Sequence, residues 1–189
     1  ISAHYDFSIS RPLSRTLNAH KSKTYILRAP ANHNWSVESK PDWITVTPSS
    51  GTGKTEVTVT FDEMTSDKVG TFEAEILDQW GNYQGTTTYA GRAGEIVFLL
   101  NDKDYRSTMT VEQYDYEYSD GDVKVLNAAT KGNGVNVVFL GDCYDARDIA
   151  SGDYLKDLEE AMGYYFQIEP YKTYKDYFNA YMVFGESND

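Results

Sequence analysis

Residues 34–61, NWSVESKPDWITVTPSSGTGKTEVTVTF, hold three short segments in which apolar and polar side chains alternate. They are Trp35–Glu38, Trp43–Thr47 and Glu56–Phe61. Lys40-Pro41-Asp42 ends the first and Pro48-Ser49-Ser50-Gly51 ends the second. A period of two puts Val57, Val59 and Phe61 on one face of a strand and Glu56, Thr58 and Thr60 on the other. Such a strand is half buried, so it needs a second layer to cover its apolar side.

The same alternation recurs outward from this stretch, at Thr24–Leu27, Phe72–Leu77, Glu95–Leu100 and Ser107–Val111. Trp80–Gly85 reads as a hairpin tip and Asn101–Asp104 as a further turn. Many short strands with no helical period between them predict an all-β sandwich with antiparallel sheets.

The composition shifts after residue 114. Residues 115–134 carry turn formers and few large aliphatic side chains, with one short strand at Val123–Leu126. A domain boundary is placed near residue 118, giving domains 1–118 and 119–189. The first holds 11 basic and 16 acidic side chains (net −5), and the second holds 6 and 13 (net −7). Val135–Leu140 is a nearly continuous apolar run, which reads as a parallel strand buried on both faces. A helix is predicted over Asp153–Phe166, with Leu155, Leu158, Met162, Tyr165 and Phe166 on one face and Asp153 as N-cap. Pro170 prevents its continuation. A helical turn over Tyr171–Tyr177 and a strand over Phe178–Phe184 follow. The result is a partial α/β unit, a βαβ crossover with too few elements to cover both faces of its sheet.

The whole chain has 189 residues and a net charge of −12. That charge repels a phosphate backbone, and no basic patch offsets it, so nucleic acid is not an expected partner. Lys21 and Lys23 read as solvated side chains. No apolar run approaches the length of a transmembrane helix. The single cysteine, Cys143, permits no internal disulfide.

Five sets of residues could carry chemistry. Asp142, Asp145, Asp148 and Asp153 follow the apolar strand, where carboxylates could hold a hard cation; turn formation and helix capping explain them more simply. Asp142 and Asp145 are the metal candidates kept. Cys143 sits at the same strand exit, but a thiol nucleophile needs a histidine beside it, and His4, His20 and His33 all fall in the sandwich. Those three histidines lack the H-E-x-x-H spacing of a hydrolytic zinc helix. The sandwich aromatics are Trp35, Trp43, Trp80, Tyr83 and Tyr89, of which Trp35 and Trp43 are assigned to the core. Trp80 and Tyr83 flank the hairpin tip and are the candidates for stacking on a sugar face. Tyr164, Tyr165, Tyr171, Tyr174, Tyr177 and Tyr181 are read as packing in the C-terminal unit.

Two family resemblances rest on these residues. Asn34–Phe61, together with Thr110-Val111-Glu112-Gln113, resembles the BACON domain (Bacteroidetes-associated, carbohydrate-binding, often N-terminal). The likeness covers most of residues 20–113 and departs at an additional hairpin between Leu77 and Glu95. It implies an immunoglobulin-like sandwich on an exported protein, whether periplasmic, surface-bound or extracellular, with a glycan or glycoprotein as partner.

Residues 128–149 and 170–187 resemble the start of the IgA peptidase family of zinc metallopeptidases. Members open with a strand ending in G-D-G-Y; here the residues are Gly141-Asp142-Cys143-Tyr144. A glycine at that position serves a backbone that cysteine adopts only at a cost. The family's H-E-x-x-H helix comes later and has no counterpart in 1–189. The resemblance therefore implies zinc for a complete parent enzyme, with the rest of the peptidase domain as partner. It implies no catalytic residue and no cofactor within this chain, which is expected to be inactive alone. The alternative expectation is a non-catalytic carbohydrate-binding or adhesion module.

Overall fold

The alternation of Val57, Val59 and Phe61 is realised as burial: all three are fully enclosed, while Glu56 faces solvent. The structure, a computed structural model, describes residues 5–18, 21–78 and 80–187. The chain divides between Asp115 and Tyr116 into two compact units.

The first unit contains ten strands. They are β1 (Ser8–Ile9), β2 (Leu13–Leu17), β3 (Lys21–Arg28), β4 (Asn34–Ser39), β5 (Ile44–Thr47), β6 (Ser50–Thr52), β7 (Thr55–Phe61), β8 (Gly70–Leu77), β9 (Tyr83–Leu100) and β10 (Tyr105–Tyr114). One sheet has the order β1-β3-β7-β5, and the other β2-β10-β9-β4-β6 with β8 paired to β9. Tyr25, Leu27, Ile44, Val57, Val59 and Phe61 of the first sheet pack with Trp35, Ile96, Phe98, Leu100, Met109 and Val111 of the second. This two-sheet core is the sandwich expected from the alternation.

One pairing departs from the antiparallel expectation. β2 runs parallel to β10, from Thr110↔Leu13 to Tyr114↔Leu17. Arg15 Nε donates to Glu112 Oε2 at 2.8 Å across this pair, and the Tyr114 hydroxyl donates to the same oxygen at 2.6 Å. β2 escapes a reading by alternation because its inward side chains are polar: Ser14 and Thr16 are buried, and Tyr25 donates its hydroxyl to Ser14 Oγ.

β9 is longer than the sequence implies. Residues 91–100 pair with β10, whereas residues 83–91 pair with β8. The β8–β9 hairpin is thus a two-stranded ribbon extending past the reach of β10 and β4. An isolated ribbon of two strands is marginal in water, and this one is anchored at its base. Phe72 and Tyr89 each lie 5.2 Å from the Tyr114 ring, with edge-on geometry.

The second unit contains β11 (Val123–Asn127), β12 (Val135–Leu140), α1 (Ala146–Ser151), α2 (Asp153–Tyr165) and β13 (Phe178–Val183). β13 is central, antiparallel to β11 and parallel to β12. One sheet face packs on the helical side, where Phe139 meets Tyr165 and Phe178 meets Phe166 edge-on.

Two sequence expectations are corrected here. β12 is an edge strand and is not buried on both faces: Val138 and Leu140 are 59% and 65% exposed. An apolar run records only what a strand could bury; its neighbours decide what it does bury. Asp153 is not an N-cap, because the position before α2 is Gly152, a left-handed residue with φ 88°. The capping residue is Asp145, ahead of the short helix α1.

Candidate functional site

The tip of the β8–β9 ribbon is organised by one carboxylate. Asp78 Oδ1 accepts from the backbone N–H groups of Trp80 (2.9 Å) and Asn82 (2.8 Å). Oδ2 accepts from Asn82 Nδ2 (3.0 Å) and Gln84 Nε2 (3.2 Å). The Asp78 N–H donates to the Asn82 carbonyl at 2.9 Å, closing the turn. Gly81 supplies the positive φ of 81° that the reversal requires.

This turn presents apolar groups to water. Trp80 is 78% exposed and Tyr83 is 61% exposed, with Ile76 and Leu77 also outward. Tyr83 is the cross-strand partner of Leu77, and its hydroxyl lies 3.0 Å from Thr86 Oγ1. The reversal runs from Asp78 to Asn82, so Tyr83 already belongs to β9 and Trp80 sits within the turn. The hydrogen-bonded turn fixes the Trp80 backbone, so little backbone freedom is lost when a flat partner stacks on its ring.

Hydrogen bonds to the charged form, foremost from the Asn82 side chain, hold the Asp78 carboxyl below its ordinary range. A carboxyl depressed in the folded state contributes order above its unfolded value, near pH 3.8. That contribution is lost as pH falls through the lower folded value. The tip is therefore expected to stay ordered above about pH 4 and to loosen below it. Amide exchange at Trp80 and Asn82 across pH 2–6 checks this, and Asp78→Asn should remove the pH dependence.

The strand exit after β12 is arranged differently. Gly141 has no room for a side chain, since a Cβ would meet the rings of Tyr144 and Tyr154 at 2.8 Å. Its N–H donates to the Tyr154 hydroxyl (3.2 Å), which in turn donates to the Val183 carbonyl. Tyr154 is fully buried and lies one turn before Leu158 on the packed face of α2. Tyr144 donates its hydroxyl to Asp157 at 2.9 Å, and this bond raises its pKa.

The acidic residues of this loop serve local structure. Asp142 Oδ1 accepts the Cys143 N–H at 2.9 Å. Asp145 accepts from the N–H groups of Arg147 and Asp148, and Asp148 reaches back to the Asp145 N–H at 2.8 Å. That reciprocal pair is a capping box. Asp153 accepts from Ser151 Oγ. Among the described residues, no group of three or more His, Cys, Asp or Glu could hold a metal ion. The structure thus gives the metal candidates Asp142 and Asp145 roles in loop and cap. Of the histidines, His33 Nδ1 pairs with Asp102 at 2.8 Å; His4 and His20 lie outside the described residues.

Cys143 is exposed and adopts φ 68°, the left-handed backbone for which glycine is suited. A side chain there costs roughly 1 kcal/mol. Cys143→Gly is therefore expected to relieve that strain while adding about 0.4–1 kcal/mol of entropy to the unfolded chain, so the denaturant midpoint should rise slightly and not fall.

Trp35 and Trp43 fall where the core assignment puts them, to different degrees. Trp35 is fully enclosed, and Trp43 is partly buried against Phe61 with the Arg92 guanidinium 4.6 Å from its ring centre. Among the described residues, no helix is long and apolar enough to cross a membrane.

The first unit is thus a two-sheet β-sandwich with a ribbon arm. Residues 8–90 match the family described as the viral BACON domain, which supports a BACON domain in this unit. The match ends at Ala90, so it includes β8 and the arm. No curated protein matches the sequence.

Three solved structures share part of the fold. A Bacteroides ovatus GH5 xyloglucanase, solved in complex with a XXXG heptasaccharide, is 16% identical, with 67% of this chain covered at a TM-score of 0.40. This chain spans 25% of that one. The MSP family member WR4 of C. elegans is 10% identical over 60% of this chain and 100% of its own (TM-score 0.36). The ASH/PapD-like domain of human CEP192 is 10% identical over 59% of this chain and 85% of its own (TM-score 0.32).

Proposed function

We propose that the sandwich is a carbohydrate-targeting module of an exported protein, with Trp80 and Tyr83 at the ribbon tip as its contact. The observation that carries this reading is the Asp78-ordered turn, which holds a tryptophan and a tyrosine in water instead of in the core. Aromatic rings offer flat apolar faces to the C–H side of a sugar, and neighbouring amides and hydroxyls can bond its rim. Asn82 and Gln84, which bond Asp78, and Thr86, beside the Tyr83 hydroxyl, are the polar side chains this reading assigns to that rim. The ribbon also carries Glu73 and Glu75, which favours uncharged glycans over sialylated or sulfated ones. Screening the 189-residue chain and its Trp80→Ala variant on a glycan array tests the reading. Binding to neutral glycans that the variant loses supports it. No binding, or binding the variant keeps, removes the site.

The second unit adds a further element to the proposal: it is the opening portion of an IgA peptidase-type α/β domain in a surface or secreted metallopeptidase. The left-handed Cys143, at the position where that family carries glycine, supports this reading. The described residues provide no donor set for zinc, so zinc and the catalytic groups are assigned to other parts of such a parent. In it, the sandwich would hold the peptidase near a glycoprotein or at a distance from the cell surface. A parent reading frame that closes after Asp189 would end the peptidase part and leave the glycan part intact.

A further inference from the structure

Asn133-Gly134 is the single asparagine–glycine pair in the chain, and it lies at the turn that leads into β12. Every other asparagine is followed by a residue that carries a Cβ. The backbone nitrogen of the following residue can attack an asparagine side chain and close a five-membered ring. A Cβ on that residue crowds the approach, and glycine leaves it open.

The loop itself demands the glycine. Gly134 has φ 77°, and a Cβ there would lie 2.2 Å from Asn179 Nδ2 and 3.1 Å from the Ala129 Cβ. Asn179 is held in place because it closes the same loop: its Oδ1 accepts the Ala129 N–H at 2.8 Å, and its Nδ2 donates to Asn136 Oδ1 at 3.0 Å. Thr130 and Lys131 donate their N–H groups to the Asp176 carbonyl at 2.8 and 3.0 Å. Asn133 stands outside these contacts. It is exposed, and among the described residues its side chain makes no hydrogen bond. The one Asp-Gly pair, Asp120-Gly121, could close the same ring, but there the fold holds both partners. Asp120 Oδ1 accepts the Glu186 N–H at 2.8 Å, and the Gly121 N–H donates to the Phe184 carbonyl at 2.7 Å.

We propose that Asn133-Gly134 is a site of spontaneous covalent modification, at which the asparagine becomes aspartate and isoaspartate. The Gly134 nitrogen gives its proton to solvent base and bonds to Asn133 Cγ. The Cγ–Nδ2 bond breaks, and the nitrogen takes a proton from water and leaves as ammonia. Water then opens the resulting succinimide at one of its two carbonyls. Cleavage between Cγ and the Gly134 nitrogen gives aspartate; cleavage between that nitrogen and the main-chain carbonyl gives isoaspartate. Water is the only co-reactant. Both products place a new carboxylate just ahead of β12. Isoaspartate also routes the main chain through the former side chain, adding one carbon before the Val135↔Phe178 and Asn136↔Asn179 pairs. The start of β12 therefore loosens as that form accumulates.

Peptide mapping by mass spectrometry, with fragmentation that separates the two acids, tests this on the folded 189-residue chain incubated at neutral pH. Asn133 should convert at least about tenfold faster than Asn82 and Asn101, which are also exposed but precede Tyr83 and Asp102. Its rate should rise about tenfold per pH unit, because the attacking nitrogen must lose its proton. Asp120 should stay unchanged in the folded chain and isomerise once urea unfolds it. Asn133→Gln would have to close a larger ring, so it should keep the fold, stay intact and hold β12 amide exchange constant through the same incubation. Conversion of Asn133 no faster than that of Asn82 and Asn101 in the folded chain would overturn the proposal.

Discussion

Trp35→Ala is expected to destabilise the first unit by about 3–5 kcal/mol, the range for deleting a large buried aromatic side chain. The indole is fully enclosed and lies edge-on to Phe98, with ring centres 6.2 Å apart. Its Nε1 donates to Thr55 Oγ1 at 3.2 Å. Its seat exists because Gly51, its partner on β6, has no side chain: a Cβ there would come within 2.9 Å of the ring. Alanine would leave a large void between the two sheets and take one donor from Thr55 Oγ1, which keeps its own hydrogen bond to the Gly53 carbonyl at 3.1 Å. In a domain of this size the loss should lower the unfolding midpoint by on the order of 10–20 °C. Trp35→Phe should recover part of it, because a six-membered ring refills much of the void while the pyrrole ring and its hydrogen bond are missing. Thermal unfolding followed by circular dichroism would show both; an alanine variant within 2 °C of the parent would refute the packing account.

Gly91→Ala is expected to lose about 3 kcal/mol for a different reason. Gly91 is where β9 passes from pairing with β8 to pairing with β10, and its cross-strand partners are Gly70 and Tyr114. Its φ is 143°, and a Cβ would lie 2.2 Å from the Gln113 carbonyl oxygen. The strand cannot keep both pairings with a side chain there. The variant should therefore lose protection along residues 83–91 and part of its global stability. Urea unfolding with site-resolved exchange separates this from a uniform loss, which would place the junction elsewhere.

These two positions show why parts of the fold were readable and others were not. Val57, Val59 and Phe61 alternate with polar neighbours because one face is buried and the other wet, so the chain itself announces the strand. Ser14 and Thr16 are nearly as buried, but their polar side chains give β2 no apolar signature. The first half of β9 is legible only as part of an additional hairpin between Leu77 and Glu95, without strand bounds, because the ribbon is wet on both faces. Its Thr86, Thr87 and Thr88 favour strand, but no apolar alternation marks it. The helix α1 has six residues, too few for a period. Its only trace is the pair of aspartates at 145 and 148, three residues apart. Tyr154 extends the apolar stripe of α2 one turn before Leu158; what spacing does not show is its hydroxyl's two partners across the fold, the Gly141 N–H and the Val183 carbonyl.

The candidate site divides along the same line. Trp80 and Tyr83 could be proposed from turn chemistry, because a tryptophan beside Gly81-Asn82 has little chance of reaching a core. The role of Asp78 could not, since four hydrogen bonds to one carboxylate depend on how the turn closes. The acidic loop was open to two readings, and geometry favours capping: Asp145 and Asp148 satisfy each other's backbone. The departure from glycine at Cys143 was visible in the sequence, and its physical content is the left-handed backbone found there.

The central claim is that the Asp78-ordered tip binds glycan through its two exposed rings. Calorimetric titration of one array-positive neutral oligosaccharide against the 189-residue chain, Trp80→Ala and Tyr83→Ala tests it most directly. Losing one stacking ring is expected to weaken binding at least tenfold, or about 1.4 kcal/mol, with the unfolding midpoint unchanged because both side chains are already in water. Equal affinity in all three proteins would contradict the account.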